Sequence, residues 1–200
     1  MTRKGVRISG GRFRGRSLAV PASARPTSGR LREALFDIWQ GRVAGSRFLD
    51  LFAGTGAVGL EALSRGAKLV VFVESDREAV RRLQRACQEL APDSTTVCQA
   101  DLPAQIGRVH RLMDRPFDLI FADPPYAYAG YEALLASLDE MLAGGGEVAI
   151  EHSIRTELPE SAGGLVRQAT RDYGENRITF FYGKKSAVGR TTEDSQELRK

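Results

Sequence analysis

Apolar residues along the chain fall into short, nearly continuous runs that alternate with stretches of helical periodicity. Apolar runs of strand length occupy residues 47–54, 68–75, 95–101, 117–123 and 147–152. Stretches with apolar residues every three or four positions occupy residues 57–66, 77–90, 103–113 and 131–142. Strands that are apolar throughout are buried on both faces, and the helices between them supply the cover. The pattern therefore predicts an α/β fold around a mostly parallel sheet.

The end of this pattern differs from its beginning. Two more strand-like segments, 164–173 and 177–183, are separated only by the turn 174–176, which is too short for a parallel crossover. We therefore expect an antiparallel β-hairpin at the end of the sheet, and seven strands in all. Near the N-terminus, residues 6–20 alternate apolar and basic side chains around glycines, which predicts a separate small β-hairpin.

Capping signals indicate where two helices begin. Thr27 or Ser28 is suited to cap a helix over residues 30–41, and Ser75 with Glu78 forms a candidate capping box for the helix at 77–90. One face of the first of these helices is apolar and is formed by Leu31, Leu35, Ile38 and Trp39. On such a face the indole is expected to anchor the core rather than to stack on a base.

Positive charge is concentrated at the N-terminus. Residues 1–32 contain nine Lys and Arg and no acidic residue, whereas the remaining 168 residues carry 20 basic and 25 acidic side chains. Localised positive charge is what contact with a nucleic-acid phosphate backbone requires. A solvated tail is the alternative, but the arginines alternate with apolar residues, for which a disordered tail has little use. We interpret residues 1–26 as a basic nucleic-acid-binding extension, 27–183 as the main domain and 184–200 as a polar, disordered tail.

Composition argues against several classes of protein. No run approaches the roughly 18 apolar residues of a membrane span, and the basic N-terminus lacks the apolar segment of a secretory signal. The two cysteines, Cys87 and Cys98, form no zinc-binding pattern, so neither a disulfide framework nor a metal site is expected. These features predict a cytoplasmic protein, which we expect to be a monomer.

A glycine-rich turn follows the first buried strand. Residues 50–59 read D-L-F-A-G-T-G-A-V-G and contain the GxGxxG pattern between a strand and a helix, which is the context in which this motif binds an adenosine-type cofactor. Glu74 ends the next strand, 20 residues after Gly54. A carboxylate at that place accepts hydrogen bonds from ribose hydroxyls.

Two cofactors fit such a turn. NAD would place its pyrophosphate at the helix N-terminus, whereas the cationic end of S-adenosylmethionine would favour a nearby carboxylate such as Asp50. The run D-x-F-A-G-T-G at residues 50–56 resembles the first motif of class I methyltransferases more closely than a dehydrogenase fingerprint. A terminal hairpin is also a feature of that methyltransferase fold. The resemblance therefore favours S-adenosylmethionine.

The sequence Asp123-Pro124-Pro125-Tyr126 directly follows the strand near residue 120. Two successive prolines stiffen the backbone, and the turn faces the same cleft as the glycine motif because the two strands are neighbours. It resembles the (N/D)PP(Y/F) motif of enzymes that methylate exocyclic amino groups of bases. Asp123 and the Pro124 carbonyl would each accept one N–H hydrogen bond and stabilise the positive charge that develops on the nitrogen. Tyr126 would stack on a base that is unpaired or flipped out.

With these segments together, the chain resembles the RsmD family of bacterial 16S ribosomal RNA guanine-N2 methyltransferases. The resemblance runs from about Arg7 to Tyr182 and includes RISGGRFRGRSL, RPTSGRLREALFDIW, DLFAGTGAVGLEALSRGA, VESD and DPPY. The first two segments are the specific ones, because DPPY is shared with DNA adenine methyltransferases. The resemblance implies a Rossmann-like class I methyltransferase fold and methyl transfer from S-adenosylmethionine to a guanine N2. It also implies 16S rRNA as the partner, within the small ribosomal subunit or its assembly intermediate.

The resemblance also implies roles for individual residues. The base would be held by Asp123, Pro124, Pro125 and Tyr126. The cofactor would be contacted by Asp50, Phe52, Ala53, Gly54, Gly56, Glu74, Ser75 and Asp101. RNA would be gripped by Arg7, Arg12, Arg14, Arg16, Arg25, Thr27 and Arg32. For two of these residues a structural role is an equal alternative to the functional one. Asp101 would also suit a helix N-cap, and Arg32 would also suit a solvated charge on a helix.

Three other functions compete with this interpretation. A DNA or RNA adenine-N6 methyltransferase would use the same acid and carbonyl, but a DNA enzyme needs a region that reads base edges, and only the basic extension is available. An NAD-dependent oxidoreductase has the glycines but no use for DPPY. A non-catalytic RNA-binding module would not need Asp123 and Tyr126.

Overall fold

The computed structural model describes residues 6–18 and 29–183. The strands of this part are β1 Val6–Arg7, β2 Ser17–Leu18, β3 Arg47–Leu51, β4 Leu69–Glu74, β5 Thr95–Gln99, β6 Phe117–Ala122, β7 Leu142–Ser153, β8 Ser161–Ala162, β9 Leu165–Tyr173 and β10 Asn176–Gly183. The α-helices are α1 Gly29–Ile38, α2 Ala57–Ser64, α3 Arg77–Leu90, α4 Ile106–Leu112 and α5 Tyr131–Leu138. Short 3₁₀ helices follow α3 and α5, at Pro92–Ser94 and Asp139–Met141.

Within the described residues, eight strands form one sheet in the order β5-β4-β3-β6-β7-β10-β9-β8. The strands from β5 to β7 in this order are parallel neighbours, and β10, β9 and β8 pair antiparallel. The predicted mostly parallel sheet with an antiparallel end is therefore confirmed. The predicted count of seven strands is wrong by one, because β8 has only two residues and leaves no apolar run in the sequence.

Helices cover the sheet on both faces, as expected from strands that are apolar throughout. Alternate residues of a strand enter opposite clusters: Phe48 packs with residues of α1, α2 and α3, whereas Leu49 packs with residues of α4 and α5. Trp39 is fully buried in the first cluster, edge-on to the Phe48 ring at 5.7 Å, which confirms its predicted core position. Ile38 is instead 43% exposed, because Leu31, Leu35 and Trp39 already form the buried stripe and Ile38 lies one residue to its side.

Several predicted element ends differ from the observed ones. The capping box of Ser75 and Glu78 is wrong: the N-cap of α3 is Asp76, whose carboxylate accepts a hydrogen bond from the Ala79 amide at 2.7 Å. Helix α4 begins three residues later than predicted and α5 ends four residues earlier, while β7 begins five residues earlier. The predicted cap at 27–28 and the tail at 184–200 lie outside the described residues.

The N-terminal segment forms a short ladder against itself. Val6 pairs with Leu18 and Arg7 with Ser17 in antiparallel register, which is less than the hairpin predicted over residues 6–20. Residues 8–16 between the two strands contain turns and bends, because Gly11 and Gly15 adopt positive φ angles. Ile8 is 2% exposed and joins the core cluster of α1, α2 and α3, so this segment packs on the main sheet.

Candidate functional site

A cavity of about 610 Å³ lies at the carboxyl ends of the central parallel strands. This edge is where α/β folds bind their ligands, and the volume is in the range of small-molecule sites. The whole turn from Asp123 to Tyr126, which follows β6, lines the cavity. Four residues of the predicted cofactor set line it as well, namely Phe52, Glu74, Ser75 and Asp101. The structure thus brings the two predicted sites into one space.

The glycine turn between β3 and α2 has its shape imposed by packing. Gly56 has a φ of 73°, and a Cβ atom at this position would lie 2.4 Å from Leu83 Cδ1 of α3. Its amide donates to the Ala53 carbonyl at 2.7 Å, which closes the turn. A side chain at Gly56 would therefore have to displace the Leu83 side chain and would also be strained at this φ angle. The residues of the turn itself, Ala53, Gly54 and Gly56, are not among those lining the cavity.

Glu74 ends β4 beside this turn. Its Oε2 accepts a hydrogen bond from the Gly54 amide at 2.7 Å, and its Oε1 accepts from the amides of Ser75 and Asp76, both at 2.8 Å. These three bonds fix the carboxylate at the mouth of the glycine turn, where it also faces the cavity. The carboxylate is thereby preorganised for hydroxyl donors of a nucleoside.

Asp50 lies beneath the turn rather than in the cavity wall. It is 2% exposed, and its Oδ2 accepts a hydrogen bond from the Gly59 amide in the first turn of α2 at 2.8 Å. Burial raises the pKa of Asp50 well above its usual value, the Gly59 hydrogen bond opposes that shift, and the negative charges of Asp123 and Glu74 add to it. Three carboxyl groups therefore act on this end of the sheet, and their mutual repulsion favours a ligand with a positive charge.

An aromatic wall borders the cavity between β3 and α5. Phe52 has a φ of 56°, a left-handed conformation that costs a non-glycine residue roughly 1 kcal/mol or more. Its ring packs edge-on to Tyr128 at 5.3 Å, and Tyr128 packs edge-on to Tyr131 at 5.1 Å. Burial raises the pKa of Tyr128 to about 12 and also raises the pKa of Tyr131. Both phenols therefore stay uncharged at neutral pH.

A hydrogen-bonded chain crosses the mouth of the cavity. The Tyr126 hydroxyl donates to Asn176 Oδ1 at 3.0 Å, and Asn176 Nδ2 donates to Glu151 Oε1 at 2.7 Å. Tyr126 is 58% exposed, whereas Glu151 is buried at the end of β7. The chain thus ties the double-proline turn to the C-terminal hairpin.

Both ring nitrogens of His152, which follows Glu151, have hydrogen-bond partners in the protein. Nε2 lies 2.8 Å from Thr179 Oγ1, and Nδ1 lies 2.9 Å from the Ser153 carbonyl. A carbonyl only accepts, so Nδ1 is the protonated nitrogen and Nε2 accepts from the Thr179 hydroxyl. Burial is the largest cause that lowers the pKa of His152, and the imidazole is therefore neutral at physiological pH.

Sequence reasoning missed seven residues that line this cavity: Leu102, Tyr128, Tyr131, Glu151, His152, Ser153 and Asn176. Glu151 and His152 could have been predicted, because the carboxyl ends of parallel strands lie at the same edge of the sheet. These two residues lie at the end of β7, just as Asp123 follows the end of β6. Asn176 carries no such signal, because its place depends on the register between β10 and β7.

The predicted RNA-contacting residues separate into three groups. Arg7, Arg12, Arg14 and Arg16 are exposed on the N-terminal segment. Arg32 is 4% exposed, and its guanidinium donates to the Arg7 carbonyl at 2.8 Å. It is therefore neither a solvated helix charge nor a cavity residue, because the N-terminal segment covers it. Arg25 and Thr27 lie outside the described residues.

No group of three or more His, Cys, Asp or Glu residues within 6–18 and 29–183 is arranged to hold a metal ion. In the same part of the chain, no helix combines the length and apolar character needed to cross a membrane.

Comparison with known proteins identifies relatives over almost the whole described chain. The family described as "Conserved hypothetical protein 95" matches residues 6–182. The YlbH protein of Bacillus subtilis is 35% identical over 88% of this chain and 98% of its own length. The Ribosomal RNA small subunit methyltransferase D of Escherichia coli is 33% identical over 77% of this chain and 78% of its own.

A solved structure has the same fold. The Thermus thermophilus protein TTHA0928 is 38% identical, covers 88% of this chain and 98% of its own, and superposes with a TM-score of 0.73. Because the family match spans residues 6–182, the chain belongs to this family, which is the RsmD family that its motifs resemble.

Proposed function

We propose that this protein transfers the methyl group of S-adenosylmethionine to the exocyclic N2 amine of a guanine in the 16S rRNA of the small ribosomal subunit. One observation carries the proposal: the turn from Asp123 to Tyr126 lines the same cavity as Glu74 and Asp101. A site for an adenosine-type cofactor and a site for a base amine then share one space. The Escherichia coli relative is named as a small-subunit rRNA methyltransferase, which supports the same class of substrate.

The residues at the glycine turn suit S-adenosylmethionine, which supplies an electrophilic methyl group on a sulfonium. Glu74 would bind the ribose hydroxyls, and Asp101 would bind the adenine amino group. The carboxylates of Glu74 and Asp123, which line the cavity, favour a cationic ligand over the pyrophosphate of NAD. That charge preference supports a methyl donor rather than a dinucleotide.

Asp123 and Pro124 supply what a base amine needs. The lone pair of an exocyclic nitrogen is delocalised into the ring, so the nitrogen is a poor nucleophile. The Asp123 carboxylate and the Pro124 carbonyl each accept one N–H bond and hold the lone pair towards the methyl group. These acceptors stabilise the positive charge that develops on nitrogen more than they stabilise the neutral amine. Asp123 then accepts the proton that the nitrogen sheds.

Tyr126 and the N-terminal segment would hold the rest of the substrate. The exposed Tyr126 ring offers a face for stacking, worth roughly 1–3 kcal/mol per base. We propose residues 1–26 as an RNA-binding extension of a methyltransferase domain that spans residues 27–183, with Arg7, Arg12, Arg14 and Arg16 as phosphate contacts. The choice of guanine over adenine rests on the family motifs, because the acid and the carbonyl would also hold an adenine amine.

Nucleoside analysis of methylated rRNA tests this function. Small ribosomal subunits and assembly intermediates from cells lacking the protein are incubated with it and labelled S-adenosylmethionine, then digested and analysed by mass spectrometry. We expect N2-methylguanosine from 16S rRNA. N6-methyladenosine, or a preference for duplex DNA over ribosomal particles, would instead favour the adenine alternative.

Asp123→Ala provides the matching test of the site. Methyl transfer should fall by orders of magnitude, whereas the dissociation constant for S-adenosylmethionine should rise far less because Glu74 still borders the cavity. Asp93→Ala removes an exposed carboxylate away from the cavity and should leave both quantities as in the wild type. Retained turnover in Asp123→Ala would remove Asp123 from the reaction.

A further inference from the structure

The N-terminal segment of residues 6–18, called the basic arm below, is held by one buried carboxylate. Glu61, in the middle of α2, is 0% exposed. Its Oε1 accepts hydrogen bonds from the Gly10 amide at 2.8 Å and the Ser9 hydroxyl at 2.9 Å, and its Oε2 accepts from the Ser9 amide at 2.8 Å. Three donors of the arm therefore converge on a single side chain of the main domain.

Two arginines balance the charge of this carboxylate. Arg65 Nε donates to Glu61 Oε1 at 2.9 Å, and Arg32 Nε lies 3.7 Å from Glu61 Oε2. Arg32 also donates to the Arg7 carbonyl of the arm at 2.8 Å. A buried carboxylate that lost these partners would be left with an uncompensated charge, so the docked arm and the charge of Glu61 stabilise each other.

A second contact fixes the arm at the end of α2. The amides of Arg12 and Phe13 donate to the carbonyl and the hydroxyl of Ser64, both at 2.8 Å, and the Ser64 hydroxyl donates to the Gly10 carbonyl at 2.5 Å. The chain passes so closely that a Cβ atom on Gly11, where φ is 72°, would lie 1.9 Å from the Ser64 carbonyl oxygen. Only glycine fits at this position.

The docked arm presents its arginines to solvent. Arg7, Arg12, Arg14 and Arg16 are all exposed. The Arg12 and Arg16 guanidinium groups lie over the half-buried Phe13 ring, 4.6 Å and 5.9 Å from its centroid. Cation–π contacts of this kind restrict the long side chains without neutralising them. The arm is thus a cationic surface of defined shape, which suits the phosphate backbone of folded RNA.

Helix α2 joins this surface to the cofactor turn. Its N-cap is Gly56 of the turn, and its last residue is Ser64 of the arm contact. The eight residues of α2 span about 12 Å, and all of them are buried. The distance from the turn to the arm is therefore set by one rigid element.

We infer that Glu61 is a positioning residue for RNA: it latches the basic arm to α2 so that the arginines grip phosphates at a fixed distance from the reacting base. The inference rests on the proposed function. Glu61 does not line the cavity proposed for the base and the cofactor. Its effect on RNA comes from ordering the arm before binding, which spares the complex the entropy of ordering it afterwards.

Gly11→Ala tests the latch from the side of the arm and leaves the buried charge in place. Gly15→Ala is the matched control, because Gly15 also has a positive φ, of 86°, but a Cβ atom there meets nothing within 4 Å. Glu61→Gln tests the same latch from the side of the helix. Four quantities are measured for each: the trypsin cleavage rate within the arm, the affinity for S-adenosylmethionine, and KM and kcat for ribosomal particles.

For Gly11→Ala we expect faster cleavage within the arm and a KM for rRNA raised about tenfold, as for the loss of hydrogen bonds to a charged group. Its kcat and cofactor affinity should stay as in the wild type. Gly15→Ala should change these quantities far less, because its Cβ atom contacts nothing and only the strain of the positive φ remains. The salt dependence of RNA binding should keep its slope in Gly11→Ala because the charges remain, whereas Arg14→Ala should reduce that slope by about 0.7–0.9.

Equal changes in Gly11→Ala and Gly15→Ala would overturn the inference, because backbone strain rather than docking would then explain both. An unchanged KM with accelerated cleavage would also overturn it, since the arm would undock without consequence for RNA. A wild-type protein that does not methylate rRNA would contradict the proposed function. In that case the affinity of Gly11→Ala for a 16S rRNA fragment, compared with that of Gly15→Ala, still decides whether docking serves RNA.

Discussion

The role proposed for Tyr126 in holding the base can be divided between its aromatic ring and its hydroxyl group. Its side chain is 58% exposed at the mouth of the cavity, and its hydroxyl donates to Asn176 Oδ1 at 3.0 Å. Tyr126→Phe removes the hydroxyl and keeps the ring, whereas Tyr126→Ala removes both. The two variants therefore separate the stacking surface from the tether that orients it.

The expected magnitudes differ clearly. A hydrogen bond between neutral groups contributes roughly 0.5–1.5 kcal/mol, and the lower part of that range applies at an exposed position. Tyr126→Phe should therefore lower kcat/KM for rRNA by about two- to fivefold. Stacking on one base contributes roughly 1–3 kcal/mol, so Tyr126→Ala should lower kcat/KM by a further factor of about 5 to 150. Most of the change should appear in KM, because stacking stabilises the bound substrate and the transition state alike.

Initial rates over a range of ribosomal particle concentrations, at saturating S-adenosylmethionine, measure both constants. Asn176→Ala also removes the bond to Glu151, so its effect should be at least as large as that of Tyr126→Phe. Adding Tyr126→Phe to it should cause no further loss, because the hydrogen bond between the two residues is already absent. Equal losses in Tyr126→Phe and Tyr126→Ala would refute the stacking role. Additive losses in the combined variant would refute the tether.

Three further changes have expected outcomes. A cationic ligand should lower the raised pKa of Asp50. Binding of S-adenosylmethionine to the wild type should therefore release protons and become tighter as pH rises. Calorimetry in buffers of different ionisation heat measures this proton release, which should be absent in Asp50→Asn. Burial lowers the pKa of His152 below its unfolded value of 6.5, so the unfolded state binds the extra proton and the free energy of unfolding should fall as pH drops through that value. Urea unfolding should show a weaker pH dependence in His152→Gln. Trp39→Phe removes the donor 2.8 Å from the buried Glu147 and should cost about 1–3 kcal/mol in urea unfolding; an unchanged midpoint would contradict that estimate.

The site at the carboxyl ends of the parallel strands could be predicted from the sequence, because the sequence shows where those strands end. Asp123 and Glu74 each terminate an apolar run, and parallel strands bring their carboxyl ends to one edge. The order of strands and helices then suffices to place both side chains near one cavity. No side-chain packing has to be known for that step.

Packing between distant segments was not visible in the same way. The sequence suits Arg32 equally to an RNA contact and to a solvated helix charge, whereas its burial depends on the arm that passes over it. Glu61 lies in the middle of α2, 51 and 52 positions from its partners Gly10 and Ser9, so no local spacing connects them. Asn176 depends in the same way on strand register. These residues are placed by tertiary contacts, which a periodicity argument does not contain.

The position of β10 has a consequence for synthesis of the chain. It lies between β7 and β9 although it is the last described strand, and it pairs with β7 from Glu147 to Ser153. A growing chain therefore carries an apolar strand with one unpaired edge until β10 emerges, and it gains Asn176 at the mouth of the cavity only then. The edge of the sheet that carries the cavity is therefore completed late, after nearly all of the described residues have been synthesised.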